Sequence, residues 1–179
     1  MATLFVDKID PQSGTSLTIG SSGDTVALTS GVVQSNLMYP AWSAHLSADT
    51  SVANATATKL PFNTELIDTD NAYDNSTNYR FTVPSGKDGN YYVHASVRNG
   101  TSTDFDSFYL YVKKNGSDFL FASMVSGFRE TRELNNVVPL VAGDYLEAFV
   151  YHSAGNSINM TGSSTTPFAT HFSGYRIGT

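Results

Sequence analysis

The stretch that decides the fold lies at residues 90–97 and reads NYYVHASV. Apolar or aromatic side chains take every second position from Tyr91 to Val97. Successive side chains of an extended chain point to opposite sides, so a period of two is typical of a β-strand with one buried face. The stretch therefore predicts a strand that turns three side chains away from the core: Tyr92, His94 and Ser96.

Similar extended stretches recur along the chain, separated by clusters of Gly, Asn, Asp and Ser. They cover residues 40–46, 58–67, 78–83, 107–113, 119–124, 136–141, 145–151 and 169–177. Between two of them lies Asn115-Gly116, the dipeptide that tight hairpin turns prefer. We count about ten strands and almost no helix, which predicts an all-β fold of two packed antiparallel sheets.

Composition excludes several classes of protein. Charged residues make up 15% of the 179 residues, against about 25% in an average soluble domain. The net charge is -6 with only ten Lys and Arg, so we expect no binding to nucleic acid or to an anionic membrane. The chain has no cysteine, which excludes disulfides and thiol chemistry. It has no apolar run of about 18 residues, so we expect no membrane insertion.

Residues 1–37 differ from the remainder of the chain, since Phe5 is their only aromatic residue. The segment SGTSLTI at residues 13–19 is echoed nine positions later by SGDTVAL at residues 22–28. Each copy carries two apolar side chains and cannot bury them alone. We predict an N-terminal β arm at residues 1–37 and a head domain at residues 38–179. The arm is a plain hairpin linker, a shaft or an anchor. The candidate anchor residues are Leu4, Val6, Ile9, Leu17, Ile19, Val26 and Leu28.

The head resembles the globular-head domain of complement C1q, within the C1q and tumour-necrosis-factor-like jelly rolls. The family pattern has a Phe, an acidic or amide residue six positions later and an aromatic residue five positions after that. It continues with a Phe, a Gly and a Tyr two positions past the Gly. The matching residues here are Phe62, Asp68, Tyr73, Phe81, Gly89 and Tyr91.

Three shorter stretches also resemble the family, in the family's order. They read PAWSA at residues 40–44, LVAGDYL at residues 140–146 and FSGY at residues 172–175. The chain departs from the family at Val93 and Ala95, where aromatic residues are preferred, and by small insertions before Phe81 and Gly89. The resemblance implies a ten-stranded jelly roll, a tight homotrimer, no catalytic residue, and protein or glycan ligands.

The arm points to a different setting from that of the secreted members of the family. Asp7 and Asp10 interrupt the apolar stretch that a signal peptide needs, so we expect none. The chain also has no Gly-x-y collagen stalk. Instead, residues 8–15, which read KIDPQSGT, and the SGDT turn resemble the N-terminal arms of bacteriophage tail-fibre and other virion proteins. That resemblance implies a protein assembled in a host cytoplasm, carried on a virion and released by lysis.

The sequence predicts no catalytic residue, no metal and no cofactor. It contains neither a close-spaced histidine metal motif nor a nucleophile-elbow motif. The acidic run at residues 68–74 resembles a calcium loop only at its start. The four glutamates of the chain lie on separate predicted elements: Glu65, Glu130, Glu133 and Glu147.

The head carries candidate residues for a trimer interface. If the family's strand order holds, His45, His94 and His171 lie on strands of one sheet, and His45 and His94 alternate away from the core. We expect one or more of the three near the trimer axis, where protonation would loosen the trimer. On another strand, aromatic side chains alternate on the face opposite Leu146 and Val150, so that this face meets another subunit or is covered by the arm. The full candidate set is His45, Tyr92, His94, Tyr145, Phe149, Tyr151 and His171.

We therefore predict a non-enzymatic virion structural protein: a phage fibre tip, knob or decoration protein with a trimeric jelly-roll head. Its partners would be itself, other virion proteins through the arm, and a host surface glycan or protein. Loops at residues 99–106 and 127–133 would carry receptor contacts. The alternative is a freestanding carbohydrate- or protein-binding module of cellular origin.

Overall fold

The computed structural model of the chain describes residues 9, 13–14, 19–25, 39–100, 104–124, 131–165 and 168–178. The chain divides into two compact units, Met1–Ser35 and Asn36–Thr179. In the first unit, Gly14 and Gly23 of the repeat both have a positive φ, which matches a turn in each copy. Ile9 and Ile19 are exposed, and the other candidate anchor residues lie outside the described part: Leu4, Val6, Leu17, Val26 and Leu28.

In its described part, the second unit contains β-strands joined by loops and no helix. They are β1 (Ala41–His45), β2 (Thr50–Val52), β3 (Thr58–Lys59), β4 (Thr64–Asp68), β5 (Tyr73–Asp74), β6 (Arg80–Thr82), β7 (Gly89–Arg98), β8 (Phe108–Lys114), β9 (Ser117–Met124), β10 (Thr131–Leu140), β11 (Tyr145–His152), β12 (Ile158–Met160) and β13 (His171–Gly178). A helix able to cross a membrane does not occur among these residues.

Two antiparallel sheets form the body of this unit. The first sheet has the strand order β10-β7-β13-β1-β4, and the second has the order β5-β6-β11-β8-β9 with β3 beside β11. A separate small sheet pairs β12 with β2. The predicted all-β antiparallel fold is confirmed. Because strands adjacent in each sheet are often distant in sequence, the chain crosses between sheets repeatedly, as in a jelly roll.

The strand count and one boundary need correction. The described residues contain thirteen strands, against about ten predicted; the strands that the sequence did not predict, β2, β5 and β12, are only two or three residues long. The extended stretch predicted at residues 58–67 is two strands, because β3 pairs in the second sheet and β4 in the first. Leu60 and Phe62 are fully buried at this crossover. Pro61 between them has no N–H to give to a ladder, which suits a position between strands.

The core between the sheets is aromatic and contains the aromatic residues of the family pattern: Phe62, Tyr73, Phe81 and Tyr91. Trp42 stacks on Phe81 with ring centroids 3.8 Å apart, and its edge meets Phe172 at 5.6 Å. Phe81 also contacts Tyr91 at 5.8 Å. Gly174 lies against Trp42, where an added Cβ would collide with the indole ring. The pattern therefore encodes the packing of the core.

Candidate subunit interface

The outward face of the first sheet has an uncharged centre. Across β7, β13 and β1 the register sets Tyr92 beside Tyr175, His94 beside Ser173, and Ser96 beside His171. On the other side of β13, Tyr175 pairs with Ala41 and His171 pairs with His45. We call this surface the histidine face; its nine residues are Ala41, Ser43, His45, Tyr92, His94, Ser96, His171, Ser173 and Tyr175. None of the nine is Asp, Glu, Lys or Arg.

Three histidines meet at one end of this face. The rings of His94 and His171 lie 5.0 Å apart, and His45 is directly opposite His171 in the ladder. Phe168 covers His45 with ring centroids 4.0 Å apart, and its carbonyl oxygen lies 3.1 Å from Nδ1 of His171. His45 is only 2% exposed, and neither ring nitrogen has a hydrogen-bond partner among the described residues.

The environment of the cluster favours the neutral forms of His45 and His94. Burial lowers the pKa of His45, and the neighbouring His171 lowers it further. Burial and His171 also lower the pKa of His94, against an opposing effect of Glu133. A proton added here is placed on a desolvated ring beside another histidine, which costs free energy.

The other end of the histidine face is aromatic and apolar. The rings of Tyr92 and Tyr175 lie 5.4 Å apart. Beyond Tyr92, Val137 on β10 continues the row and is 52% exposed. On the opposite margin, Ile67 of β4 pairs with Ser43 and is 51% exposed. Exposed apolar side chains beside an uncharged centre are the composition of a surface that another protein can bury.

The outward face of the second sheet is different, and it carries the three other candidate interface residues. Arg80 lies over Tyr145 at 4.2 Å, Lys113 lies over Phe149 at 4.9 Å, and Tyr151 contacts a tyrosine of β8 at 5.7 Å. We call this surface the ion-pair face; its residues are Arg80, Tyr109, Tyr111, Lys113, Asp118, Phe121, Tyr145, Glu147, Phe149 and Tyr151. Two salt bridges of 3.0 Å cross it or its rim, Lys113–Asp118 and Lys59–Glu147.

The seven candidate interface residues thus fall into two groups. The structure brings together His45, Tyr92, His94 and His171 on one face and places Tyr145, Phe149 and Tyr151 on the other, with the core between them. Sequence analysis missed two aromatic residues beside these four, Tyr175 and Phe168. Tyr175 could have been found from its alternation with Phe172 and Gly174, whereas Phe168 precedes β13 and has no periodic signal.

The acidic run at residues 68–74 has a structural role. Asp68 accepts hydrogen bonds from the N–H groups of Ala72 and Tyr73 at 2.9 and 3.0 Å. Asp74 accepts backbone N–H groups of Ser76, Thr77 and Asn78, which hold its pKa well below the usual value. The described residues include no group of three or more His, Asp or Glu placed to hold a metal ion.

The two predicted receptor loops are only partly described. In the first, the structure describes residues 99–100 and 104–106; in the second, it describes residues 131–133 at the start of β10. Their role in receptor contact stays a prediction.

Comparison with known proteins supports the fold. No protein-family model matches the chain. The structure is similar to that of murine APRIL, with a TM-score of 0.57 at 13% identity over 76% of this chain and 97% of the other. It is also similar to Eiger TNF from S. frugiperda, with a TM-score of 0.55 at 12% identity over 76% and 90%. The described head has the TNF-like jelly-roll fold.

One curated relative matches in sequence. The chain is 32% identical over 106 residues to the uncharacterized protein YqcC of Bacillus subtilis strain 168. The match covers 55% of this chain and 28% of that protein. The chain therefore aligns with less than a third of its relative's length.

Proposed function

We propose that this protein is a non-enzymatic binding or structural head that assembles as a homotrimer through the histidine face. The carrying observation is that nine adjacent side chains in the centre of an outward sheet face include no carboxylate, ammonium or guanidinium group. Burying such a charge without a partner costs several kcal/mol, so an obligate interface excludes it. Only 15% of the chain is charged, yet the ion-pair face concentrates charges that the histidine face lacks.

The edges of the histidine face fit the same proposal. Val137 and Ile67 extend the apolar surface on either side, so an assembly would remove them from water. Glu133 on β10 lies at the margin, where Ser96 donates a hydrogen bond to its carboxylate at 3.4 Å. A polar rim around an uncharged centre is the arrangement expected of a protein interface. The resemblance to C1q-like heads favours three copies over two.

The oligomeric state of the full chain tests this proposal. We expect native mass spectrometry and light scattering to give a trimer. Tyr92→Asp places a carboxylate at the aromatic end of the histidine face, between Tyr175 and Val137, and should raise the dissociation constant by about a hundredfold or more. Tyr111→Asp is the matched control on the ion-pair face and should leave the trimer intact.

Two outcomes would reject the assignment. A wild-type chain that stays monomeric at all concentrations would contradict the proposed trimer. Dissociation by Tyr111→Asp with an intact Tyr92→Asp trimer would move the interface to the second sheet.

We further propose that the head is displayed on a virion, held there by residues 1–37. The support is the resemblance of residues 8–15 to tail-fibre arms and the division of the chain at Ser35. Deleting residues 1–37 should abolish incorporation into particles and leave the trimeric head in the lysate. A freestanding binding module would instead never co-purify with particles, with or without these residues.

A further inference from the structure

A groove of about 450 Å³ lies between β8 and β9 on the ion-pair face. Aromatic rings form most of its lining, which consists of Tyr109, Tyr111, Asp118, Phe119 and Phe121. The Phe121 side chain is 69% exposed, the highest fraction among the large apolar side chains of the described residues. Water is a poor environment for such a ring, so covering it with a ligand lowers the free energy.

A β-bulge brings the lining residues of β9 together at this edge of the sheet. In a regular strand Asp118 and Phe119 would point to opposite sides. The register shifts here, because Lys113 of β8 pairs with Asp118 while Val112 pairs with Leu120. Phe119 is therefore the extra residue of the bulge, and one carboxylate shares the groove with two rings of the same strand.

Three rings of the second sheet already have a cation of the chain over them. The pairs are Arg80 with Tyr145 at 4.2 Å, Lys113 with Phe149 at 4.9 Å and Lys114 with Phe119 at 5.5 Å. The negative face of an aromatic ring attracts a cation, and the chain uses this attraction repeatedly on one side of the molecule.

The other rings of the groove have no such cation among the described residues. They belong to Tyr109, Tyr111 and Phe121. The two tyrosine rings contact each other at 5.9 Å, and Phe121 is directly opposite Tyr111 in the ladder. The groove therefore offers adjacent ring faces that the chain's own cations leave open.

The lysines beside the groove do not make it positive, because each is paired with a carboxylate. Lys113 lies 3.0 Å from Asp118, and Lys114 lies 2.7 Å from Asp144. The rings and the carboxylate on the wall therefore set the charge preference of the groove, which is for a cation.

We infer that this groove binds the quaternary ammonium group of a small choline-like ligand, which the three open rings contact and the Asp118 carboxylate attracts. A quaternary ammonium has no N–H to donate, so it needs ring faces rather than free acceptor oxygens. A primary ammonium or a guanidinium fits less well, because the single carboxylate of the lining already pairs with Lys113. A sugar has many hydroxyl groups, whereas the polar groups in the lining side chains are one carboxylate and two phenols.

This inference deepens the proposed binding role by naming a ligand class, and the groove lies on the sheet opposite the proposed trimer interface.

The test uses the full chain and two probes of equal shape, choline and its neutral carbon isostere 3,3-dimethyl-1-butanol. We expect choline to cause saturable shifts of amide NMR signals centred on residues 109–121. The isostere should bind at least about tenfold more weakly, because it fills the same space without the charge that the rings attract.

Ring removal and a matched control locate the site. Phe121→Leu and Tyr111→Leu keep an apolar side chain but lose the ring, so each should weaken choline binding by about threefold or more. Because Phe121 is exposed, Phe121→Leu should keep the wild-type melting temperature, which separates lost binding from lost folding. Tyr145→Leu removes a ring that Arg80 already covers and should leave choline binding unchanged.

Several results would overturn the inference. They are equal affinity for choline and its isostere, shifts that do not saturate, unchanged affinity in both groove variants, and an equal loss of affinity in Tyr145→Leu. Tighter binding of methyl glucoside than of choline would assign the groove to a sugar instead.

The oligomeric state of the same samples separates this inference from the proposed function. If Phe121→Leu dissociates the trimer, another copy of the chain fills the groove, and both the inference and the proposed interface fail. If the wild-type chain is monomeric and binds choline through Phe121, the trimer fails and the inference stands. If the trimer is intact and choline does not bind, the inference alone fails.

Discussion

The two outward sheet faces of the head are both rich in aromatic side chains, but they differ in how these side chains are covered. On the ion-pair face, Arg80 and Lys113 lie over Tyr145 and Phe149. On the histidine face, Tyr92 and Tyr175 contact each other, and no cation is seen over them within the described residues. An aromatic strand face therefore does not by itself identify an interface.

The difference in charge shows which face suits burial. A cation over a ring is stabilised by the ring and also stays hydrated, so Tyr145 and Phe149 are covered without another protein, although Phe121 on the same face is 69% exposed. On the histidine face, burial disfavours protonation of His45 and His94, and exposed valine and isoleucine side chains lie beside them. Such a surface gains free energy when another protein covers it.

The largest expected effect comes from the core that the two faces share. Gly174→Ala would place a methyl group inside the Trp42 ring, which cannot move because it stacks on Phe81 at 3.8 Å. We expect a loss of about 3 kcal/mol in the free energy of unfolding, measured in urea. Ser173→Ala, one position earlier on the outward side, is the control and should cost little. Equal losses in the two variants would mean that β13 does not pack as described.

The alternation of side chains within a strand could be predicted from the sequence, but the assignment of strands to sheets could not. Alternation at residues 90–97 separates Tyr91 in the core from Tyr92 on the surface, and the two positive φ angles at Asn115 and Gly116 match the predicted hairpin. Both features depend on neighbours in the chain. Sheet membership does not, because β11 pairs with β8, β6 and β3 from distant parts of the sequence.

That non-local pairing explains which site residues could not be assigned. Tyr145 and Tyr92 have similar local patterns but lie in different sheets, so no period distinguishes their faces. Tyr73 was matched to the family pattern, and the structure places it in the core. The path of the loop at residues 68–80 could not be predicted, because it depends on hydrogen bonds to Asp68 and Asp74.

Acid should destabilise the head through the histidine face. The pKa values of His45 and His94 are lowered from 6.5 in the folded chain, so the unfolded chain takes up protons first as the pH falls below that value. Stability is therefore full above pH 6.5 and decreases below it.

The measurement is the melting temperature between about pH 8 and about pH 5.5, together with the oligomeric state. We expect a lower melting temperature and a weaker trimer at the acid end. His45→Leu removes a buried imidazole without hydrogen bonds and should reduce the pH dependence while raising stability at pH 8. A pH dependence equal to that of the wild type in this variant would show that the histidine cluster is not its source.

The smallest expected effect belongs to the ion-pair face. Lys113→Gln removes the 3.0 Å salt bridge to Asp118 and the cation over Phe149. Because the Asp118 side chain is 62% exposed, water and salt screen the pair, and the loss should be less than about 1 kcal/mol. The trimer should persist, since the proposed interface lies on the other side of the core. Loss of the trimer in Lys113→Gln, measured by light scattering beside a wild-type control, would show that charge on this face contributes to assembly and that the two faces are not functionally separate.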